Sequence, residues 1–313
     1  MNTPTTCNIA IIGAGPSALT AAMYMAREEI DTTLYERSMA GGLVATTDWI
    51  DNYPGHPKGV EGIELADELR QHAERFGATI VFREITALRQ VDSHVELTTN
   101  KGDTLSARAV LIATGSNHKK LGIPGEEEYY SKGVHYCATC DGVFYKDKRI
   151  AVVGGGNSAV QEAIFLTRFA SHVDLLVRSE LRASGVLREK LASMSDQITV
   201  HLGVTPDEIL AKNDVVTGVK VTSNDTSEQY SIPVEGVFIF IGLIPNTEFL
   251  RRSAIDLDEA GHIKTDEKLQ TSIPGVFAAG DVRSQSIAQI ANAVGEGATA
   301  ALHIREYLEK TCQ

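Results

Sequence analysis

Two stretches of the chain repeat one pattern of apolar and polar positions. In each, a short apolar run is followed by a glycine-rich turn and then by an alanine-rich segment with helical spacing. A second short apolar run follows each helix, and this strand–helix–strand order is typical of a parallel sheet. The pattern predicts glycine-rich copies at 7–18 and 149–159, helices at 16–28 and 157–169, and strands at Thr32–Glu36 and His172–Val177.

Each glycine-rich turn has the sequence G-x-G-x-x-A, which suits the binding of a dinucleotide. The first glycine permits a tight turn, the second lets a pyrophosphate approach the backbone, and the small last residue lets helix and strand pack closely. The phosphates then lie at a helix N-terminus, where free N–H groups and the helix dipole favour anions. Two such turns predict two binding sites, at Gly13, Gly15, Pro16, Ser17 and Ala18 and at Gly154, Gly156, Asn157, Ser158 and Ala159.

The residues that end the second strand of each copy predict different nucleotides. Glu36 lies 23 residues after Gly13, where a carboxylate bonds an adenosine ribose and repels a 2′-phosphate, as suits FAD or NAD. In the second copy Val177 takes this position and is followed by Arg178 and Arg182. Arginines there suit the 2′-phosphate of NADPH, although both could also be solvated surface charges.

Between and after the two copies, the pattern indicates a smaller sheet and the return of the first unit. Alternation at 93–98 predicts antiparallel strands, and 108–115 reads as a buried strand that ends at glycine. A similar strand and turn at 275–281 precede a last long helix at 287–308. We therefore predict an α/β fold of two Rossmann-like domains, each with three ββα layers, the second inserted into the first. The FAD domain would comprise 1–117 plus 248–313, and the NAD(P)H domain 118–247, with crossings near 117–120 and 244–247.

Composition narrows the function classes. With 29 basic and 41 acidic residues the net charge is −12, which argues against a nucleic-acid binder. The longest apolar run, 237–244, is too short to cross a membrane. The first basic residue is Arg27, so a secretory signal peptide is not expected, and the sequence predicts a cytoplasmic protein.

A close cysteine pair is the clearest candidate for chemistry. Cys137 and Cys140 form a C-x-x-C motif followed by Asp141, and such a pair can close a short, reducible disulfide. The competing interpretation, half a zinc site with His135, needs further ligands, and the sequence has no second C-x-x-C motif to supply them. Asp141 suits a proton donor to a departing thiol, or an N-cap of the next turn. No metal is predicted, Cys7 is expected to be an inert buried thiol, and Cys312 a free surface thiol.

Nearly the whole chain resembles the low-molecular-weight thioredoxin reductases. The most specific feature is a redox pair in mid-chain, just before the second glycine-rich turn. The residues that carry the resemblance are Gly13–Ala–Gly–Pro–Ser–Ala18, Gly41–Gly42, Asn52–Tyr–Pro–Gly55, Ala113–Thr–Gly115, Cys137–Ala–Thr–Cys–Asp–Gly142, Gly154–Gly–Gly–Asn–Ser–Ala159 and Gly280–Asp281.

The resemblance implies FAD in the first unit and a pyridine nucleotide, NADPH or NADH, in the second. By analogy Cys140 faces the flavin, Cys137 attacks the disulfide of thioredoxin, and Asp141 serves as acid and base. It also implies a homodimer and an inserted domain that rotates about the two crossings. Asp281 would bond the ribityl or phosphate groups, and the further FAD-site residues would be Glu36, Gly42, Asn52, Ala113, Thr114, Gly115, Gly280, Gln289 and Ile290.

Three departures from the family pattern change the expectation. Ser179 replaces an arginine of the family's cluster and Glu180 adds a negative charge, which could weaken the preference for NADPH over NADH. Val143 replaces a phenylalanine after the redox pair, where thioredoxin is expected to bind. Ala288 replaces an arginine beside the flavin.

The expected function is therefore a flavin-dependent disulfide reductase that passes electrons from NAD(P)H to thioredoxin or a similar small protein. Three alternatives remain open at this point. One is a dithiol oxidase on the same scaffold, which the intact second glycine-rich turn opposes. Another is a reductase fed by ferredoxin, which the altered arginine cluster allows. The last is a non-catalytic flavin-binding module, in which a C-x-x-C pair beside an acid is hard to explain.

Overall fold

The computed structural model describes residues 5–47, 49–50, 52–92 and 94–311, with side chains from residue 9 onward. Three sequence expectations therefore lie outside the described part: the start of the alternating run at Ser93, the burial of the Cys7 side chain and the exposure of Cys312. Within the described ranges, none of the helices combines the length and hydrophobicity needed to cross a membrane.

Helices and strands alternate through most of the chain. The α-helices are α1 (Pro16–Arg27), α2 (Gly62–Arg75), α3 (Ala138–Asp141), α4 (Asn157–Leu166), α5 (Gly185–Ala192) and α6 (Ile290–Thr311), and 3-10 helices span Gly42–Thr46, Gly142–Tyr145 and Glu248–Leu250. The strands are β1 (Thr5–Ile12), β2 (Thr32–Glu36), β3 (Trp49–Ile50), β4 (Val60–Glu61), β5 (Thr79–Phe82), β6 (Ile85–Val91), β7 (His94–Thr99), β8 (Thr104–Ile112), β9 (Ser116–His118), β10 (Val134–His135), β11 (Arg149–Val153), β12 (His172–Val177), β13 (Ile198–Leu202), β14 (Val204–Lys212), β15 (Val215–Ser223), β16 (Gln229–Ile232), β17 (Val237–Ile239), β18 (Leu243–Pro245) and β19 (Val276–Ala278).

The chain divides into two compact units. Residues up to Asn117 and from Ile244 onward form the first unit, and His118–Leu243 form the second, which is inserted into the first. The chain passes between the units within β9 and β18, and these two strands pair with each other. The second crossing comes before the 247/248 boundary drawn from the sequence.

The first unit is built on a sheet in the order β5-β2-β1-β8-β7-β6, with β19 also paired to β8. Strands β5, β2, β1, β8 and β19 run parallel, whereas β6, β7 and β8 are antiparallel neighbours. Alternate residues of β1 enter different cores, because strand side chains point to opposite faces. Ile9 and Ile11 pack with α1 and α6, while Ala10 and Ile12 pack with residues of β6 and β7. This two-sided burial explains the continuous apolar run of β1.

The second unit repeats the same three layers. Its sheet has the order β10-β17-β11-β12-β13 with every pair parallel, and β14, β15 and β16 form an antiparallel sheet. In β11, Val152 packs with α4, whereas Ala151 and Val153 pack with residues of β14 and β15. The predicted fold class of two ββα units is confirmed.

Helix α1 ends one residue before the predicted 28 and α6 ends three residues after the predicted 308, and two further boundaries differ by three residues each. The helix predicted at 157–169 ends at Leu166, where Thr167 Oγ1 donates to the carbonyl of Ile164 and the next residues form turns. The last helix, predicted at 287–308, begins at Ile290, because Ile287 lies in a turn in which its carbonyl accepts from Gln289 N.

Candidate active site

The two glycine-rich turns are built alike. Gly13 has a φ of +103°, and a Cβ added there would lie 2.5 Å from the carbonyl oxygen of Ala113. Gly154 has a φ of +145°, and its Cβ would lie 2.4 Å from the carbonyl oxygen of Phe240. Both positions therefore require glycine. A Cβ at the second glycine of either turn, Gly15 or Gly156, would meet nothing within 4 Å, so the backbone there is open to a ligand.

Glu36 is tied to the first turn. Its carboxylate is buried and accepts hydrogen bonds of 2.9 Å from the backbone N–H groups of Ala14 and Ser38. Each carboxylate oxygen has more than one lone pair, so these bonds leave capacity to accept from a ribose hydroxyl. The ribose contact expected of Glu36 stays a prediction.

Beside the first turn, two buried polar atoms have no hydrogen-bond partner in the described part of the chain. They are Ser17 Oγ at the start of α1 and Asp281 Oδ1 in the turn after β19. A Cβ added at Gly280 would lie 3.2 Å from Ser17 Cβ, so this turn adjoins the N-terminus of α1. Burial, with a smaller effect of the Glu296 carboxylate, raises the pKa of Asp281 to about 6. Buried polar groups are normally paired, which points to a polar ligand here.

Glu296 holds the Gly280–Asp281 turn and was not identified from the sequence. It accepts from Gly280 N at 2.7 Å and forms an ion pair with Arg283 at 2.6 Å. Burial alone would raise the pKa of Glu296, but the bonds from Arg283 and Gly280 hold it below its usual range. No motif marks Glu296, since it lies inside the periodic pattern of α6.

The other FAD-site residues of the sequence prediction fall into three groups. Gly42 opens a 3-10 helix, and a Cβ there would lie 3.4 Å from the Cα of Gly15. Asn52 Nδ2 donates to Gln289 Oε1 at 3.1 Å, and Ile290 packs with Val44 and Ile50. Thr114, between Ala113 and Gly115, is joined to Asn246 by two reciprocal hydrogen bonds of 2.8 Å.

In the second turn, the segment with the candidate arginines packs against the glycines. Arg182 N donates to the carbonyl of Gly155 at 2.8 Å, and the Arg178 carbonyl accepts from Asn224 Nδ2 at 2.6 Å. Asn157 Oδ1 accepts from Ser184 N at 2.8 Å, which fixes the other end of this segment. Both arginine side chains are exposed, as are those of Ser179, Glu180 and Ser158, whereas Ala159 is buried under the turn.

Cys137 and Cys140 form a disulfide, with Cα atoms 5.4 Å apart. Cys137 is the N-cap of the single turn α3, and its Sγ accepts from Cys140 N at 3.2 Å. The short helix therefore aims a backbone N–H at the sulfur that would carry charge after reduction. Val143 and Phe144, just beyond the pair, are each about half exposed.

Asp141 has a neighbour that the sequence did not reveal. One of its carboxylate oxygens lies 3.3 Å from His135 Nδ1, and His135 Nε2 lies 2.7 Å from Tyr145 Oη. Asp141 also precedes the 3-10 helix Gly142–Tyr145, but its side chain makes no capping hydrogen bond there. Among the described residues, no group of three or more His, Cys, Asp or Glu is arranged to hold a metal ion.

A comparison with known protein families finds a match over residues 7–297 to the pyridine nucleotide-disulphide oxidoreductases. The thioredoxin reductase of Listeria monocytogenes is 41% identical over 305 residues, which cover 97% of this chain and 94% of that protein. The thioredoxin reductase of Bacillus subtilis is 39% identical over 305 residues, or 97% and 95% of the two chains.

Solved structures agree with the sequence relatives. The crystal structure of thioredoxin reductase from Streptococcus pyogenes matches with a TM-score of 0.91 at 37% identity, covering 98% of this chain and 100% of that one. The thioredoxin reductase of Giardia duodenalis matches with a TM-score of 0.92 at 31% identity, covering 97% and 99%.

Proposed function

Because this chain belongs to the pyridine nucleotide-disulphide oxidoreductase family, a family of redox enzymes, we propose that it is a thioredoxin reductase. It takes electrons from a nicotinamide nucleotide through FAD and the Cys137–Cys140 disulfide to thioredoxin or a thioredoxin-like protein. The observation that carries this proposal is the C-x-x-C disulfide with an adjacent carboxylate in the inserted unit, in a chain about 40% identical to thioredoxin reductases along its length.

The first unit supports FAD as its cofactor. The buried, unpartnered Ser17 Oγ and Asp281 Oδ1 supply polar groups for phosphate and ribityl oxygens, and the open backbone at Gly15 leaves room for a pyrophosphate at the N-terminus of α1. Glu36 would accept from the adenosine ribose. Gly42 lies beside Gly15, while Asn52, Gln289 and Ile290 would lie near the isoalloxazine ring. When bound, the flavin would accept a hydride from the nucleotide and release two electrons to the disulfide.

The second unit supports NADPH as the donor, with NADH as the alternative. Gly156 is open to a pyrophosphate, and Arg178 and Arg182 extend into solvent from a segment pinned to the turn. Arginine side chains suit a 2′-phosphate, whose loss would remove charge-assisted contacts of about 1.5–3 kcal/mol each. Ser179 and Glu180 oppose this preference, so the choice of nucleotide is a matter for measurement.

Exchange with the substrate uses the cysteine pair and Asp141. In the reduced protein the Cys140 N–H, which now donates to Cys137 Sγ, would stabilise a thiolate there. Cys137 would attack the substrate disulfide, and Cys140 would then displace the substrate from Cys137. Asp141 would take a proton from the attacking thiol and give it to the departing one.

The exposed Val143 and Phe144 offer an apolar contact for thioredoxin beside the pair. Aromatic side chains at such positions often anchor a partner. We also propose a homodimer, as the family resemblance implies, and a cytoplasmic location, as the sequence predicts.

The test begins with the purified flavoprotein mixed anaerobically with NADPH and, separately, with NADH. Loss of oxidised-flavin absorbance with NADPH at the higher rate is expected. If neither nucleotide bleaches the flavin, a ferredoxin donor or a dithiol oxidase replaces this proposal.

The cysteine variants test the second half of the route. Cys137→Ser and Cys140→Ser are expected to bind FAD and to be bleached at the wild-type rate, but to lose thioredoxin reduction by at least about a thousandfold, because the exchange needs two sulfurs. Cys312→Ser is the matched control and should retain turnover. Thioredoxin reduction by either variant of the pair at a wild-type rate would refute the proposed route.

A further inference from the structure

A row of three polar side chains, two of them buried, adjoins the redox pair in the second unit. His135 ends β10, Asp141 ends α3, and Tyr145 ends the following 3-10 helix. His135 Nδ1 lies 3.3 Å from Asp141 Oδ2, and His135 Nε2 lies 2.7 Å from Tyr145 Oη. The first pair lies within ion-pair distance but is not a hydrogen bond in this structure, and catalytic contacts often tighten only when substrate binds.

The imidazole of His135 is held rigidly. It stacks on Phe238 with ring centroids 5.1 Å apart, and Tyr145 meets both rings edge-on at 5.3 Å. Gly236 leaves space for the tyrosine ring, since a Cβ there would lie 2.1 Å from Tyr145 Cε1. His135 and Tyr145 are buried, whereas the Asp141 side chain, next to Cys140 in the sequence, is 20% exposed. The row therefore has a fixed inner end and an accessible outer end.

Hydrogen-bond direction follows from both ends of the row, because a carboxylate only accepts, so a contact with Asp141 requires the proton on His135 Nδ1. Burial, with smaller effects of the Asp141 and Glu235 carboxylates, raises the pKa of Tyr145 far above its usual range, so its hydroxyl keeps its proton. Lys148 Nζ lies 5.4 Å from the centre of the tyrosine ring. A tyrosine O–H that donates to Nε2 leaves the proton of a neutral imidazole on Nδ1, facing the carboxylate of Asp141.

We propose that His135 is a positioning residue for Asp141, with its tautomer set by Tyr145, and that this row keeps the carboxylate oriented for proton transfer at the redox pair. The inference rests on the proposed function. In that exchange Asp141 takes the proton of the Cys137 thiol as Cys137 Sγ attacks one substrate sulfur. The substrate S–S bond breaks, and Asp141 gives this proton to the thiolate that is released. Cys140 then gives its proton to Asp141 and attacks Cys137 Sγ, and the second substrate thiolate leaves with that proton. Two electrons and two protons thus pass from the enzyme dithiol to the substrate disulfide.

The test compares His135→Leu, His135→Asn and Tyr145→Phe in the flavin-loaded protein. For His135→Leu we expect kcat for thioredoxin reduction to fall about tenfold, less than the hundredfold or more that loss of a general acid itself costs. The KM for thioredoxin should stay within about twofold, because His135 is buried. This split between kcat and KM is a readout that a general loss of structure would not give.

The other variants separate positioning from a general structural role. His135→Asn keeps an N–H near Nδ1 and should restore kcat most of the way, with KM unchanged. Tyr145→Phe keeps the ring but removes the hydroxyl that faces Nε2, so it should lower kcat by a smaller factor than His135→Leu. His172→Asn is the matched control, because His172 lies in β12, contacts Thr199 of β13 and should leave kcat unchanged.

Flavin bleaching by NADPH does not involve the pair and should be the same in every variant. An unchanged kcat in His135→Leu, in an active wild-type background, would overturn the role of His135. If that variant fails to fold, an unchanged kcat in Tyr145→Phe overturns it instead. A wild-type protein whose flavin is bleached by NADPH but that does not reduce thioredoxin would overturn the proposed function itself.

Discussion

Asp281 carries a free-energy cost that its proposed ligand would relieve. Its carboxyl group is buried beside Ser17, and its Oδ1 has no hydrogen-bond partner within the described ranges. Burial and the Glu296 carboxylate raise its pKa from 3.8 to about 6, a change on the order of 2–3 kcal/mol. Because the pKa is raised in the folded protein, this cost is absent below about pH 4, where the carboxyl is protonated in both states. The cost grows, and stability is lost, as the pH rises through 6.

We therefore expect Asp281→Asn to make the flavin-free protein more stable at pH 7.5 by roughly 2 kcal/mol, and to weaken FAD binding by about tenfold. Denaturant titration at pH 4, 6 and 8 checks the first effect, which should vanish at the lowest pH. Flavin fluorescence titration checks the second. Asp256→Asn, at an exposed aspartate of the same unit, is the control. A stability gain that is equal at every pH would contradict the assigned cause.

At the scale of elements, Asp174 joins three neighbouring strands of the second unit. It lies in β12 with no exposed surface, and it accepts two hydrogen bonds from Arg149 of β11 and one of 2.8 Å from His201 of β13. Burial alone would raise its pKa, but the bonds from Arg149 and His201 outweigh burial and hold the pKa below its usual range. A lowered pKa gives stability that is present above about pH 4 and is lost on acidification.

Arg149→Met should accordingly destabilise the second unit at neutral pH, since it leaves a buried carboxylate with one partner fewer. Breaking a buried pair costs about 3–5 kcal/mol, but Arg149 is 45% exposed and its charge is screened, so we expect about 2 kcal/mol. Thermal unfolding from pH 7 to pH 3 measures this loss, which should shrink as Asp174 takes up a proton. The exposed Arg188→Met serves as the control. The same loss at pH 3 and pH 7 would show that packing of the Arg149 stem, and not charge, is responsible.

What the sequence could predict at this scale depends on how local the signal is. The strands Thr32–Glu36 and His172–Val177 are predicted at their observed bounds, because each follows a helix after a short turn and is rich in strand-forming residues such as Thr, Val, Leu and Tyr. Hydrogen-bond partners that are distant in the sequence are not marked by any local pattern. Glu296 and Gly280 are 16 residues apart, and Asp174 reads as one polar residue in an apolar strand. The sequence marks His135 only as a ligand of a zinc site that lacks further ligands, because its actual partners are fixed by the tertiary packing around Phe238.

At the scale of the whole molecule, the buried hydrophobic clusters respect the division of the chain. Every cluster of described residues draws its members from one unit only, including the first unit's clusters, which combine residues before Asn117 with residues after Ile244. Cooperative unfolding follows shared cores, so separate cores predict separate transitions.

We expect calorimetry of the flavin-free protein to resolve two transitions, one for each unit. FAD at 100 times its dissociation constant should stabilise the transition of the first unit by about 2.7 kcal/mol, and NADPH at the same ratio should stabilise only that of the second. The Arg149→Met variant assigns the transitions, because it should lower only the one that responds to NADPH. A single transition that both ligands raise would mean that the two units unfold together, and that the connections at β9 and β18 couple them more strongly than their separate cores indicate.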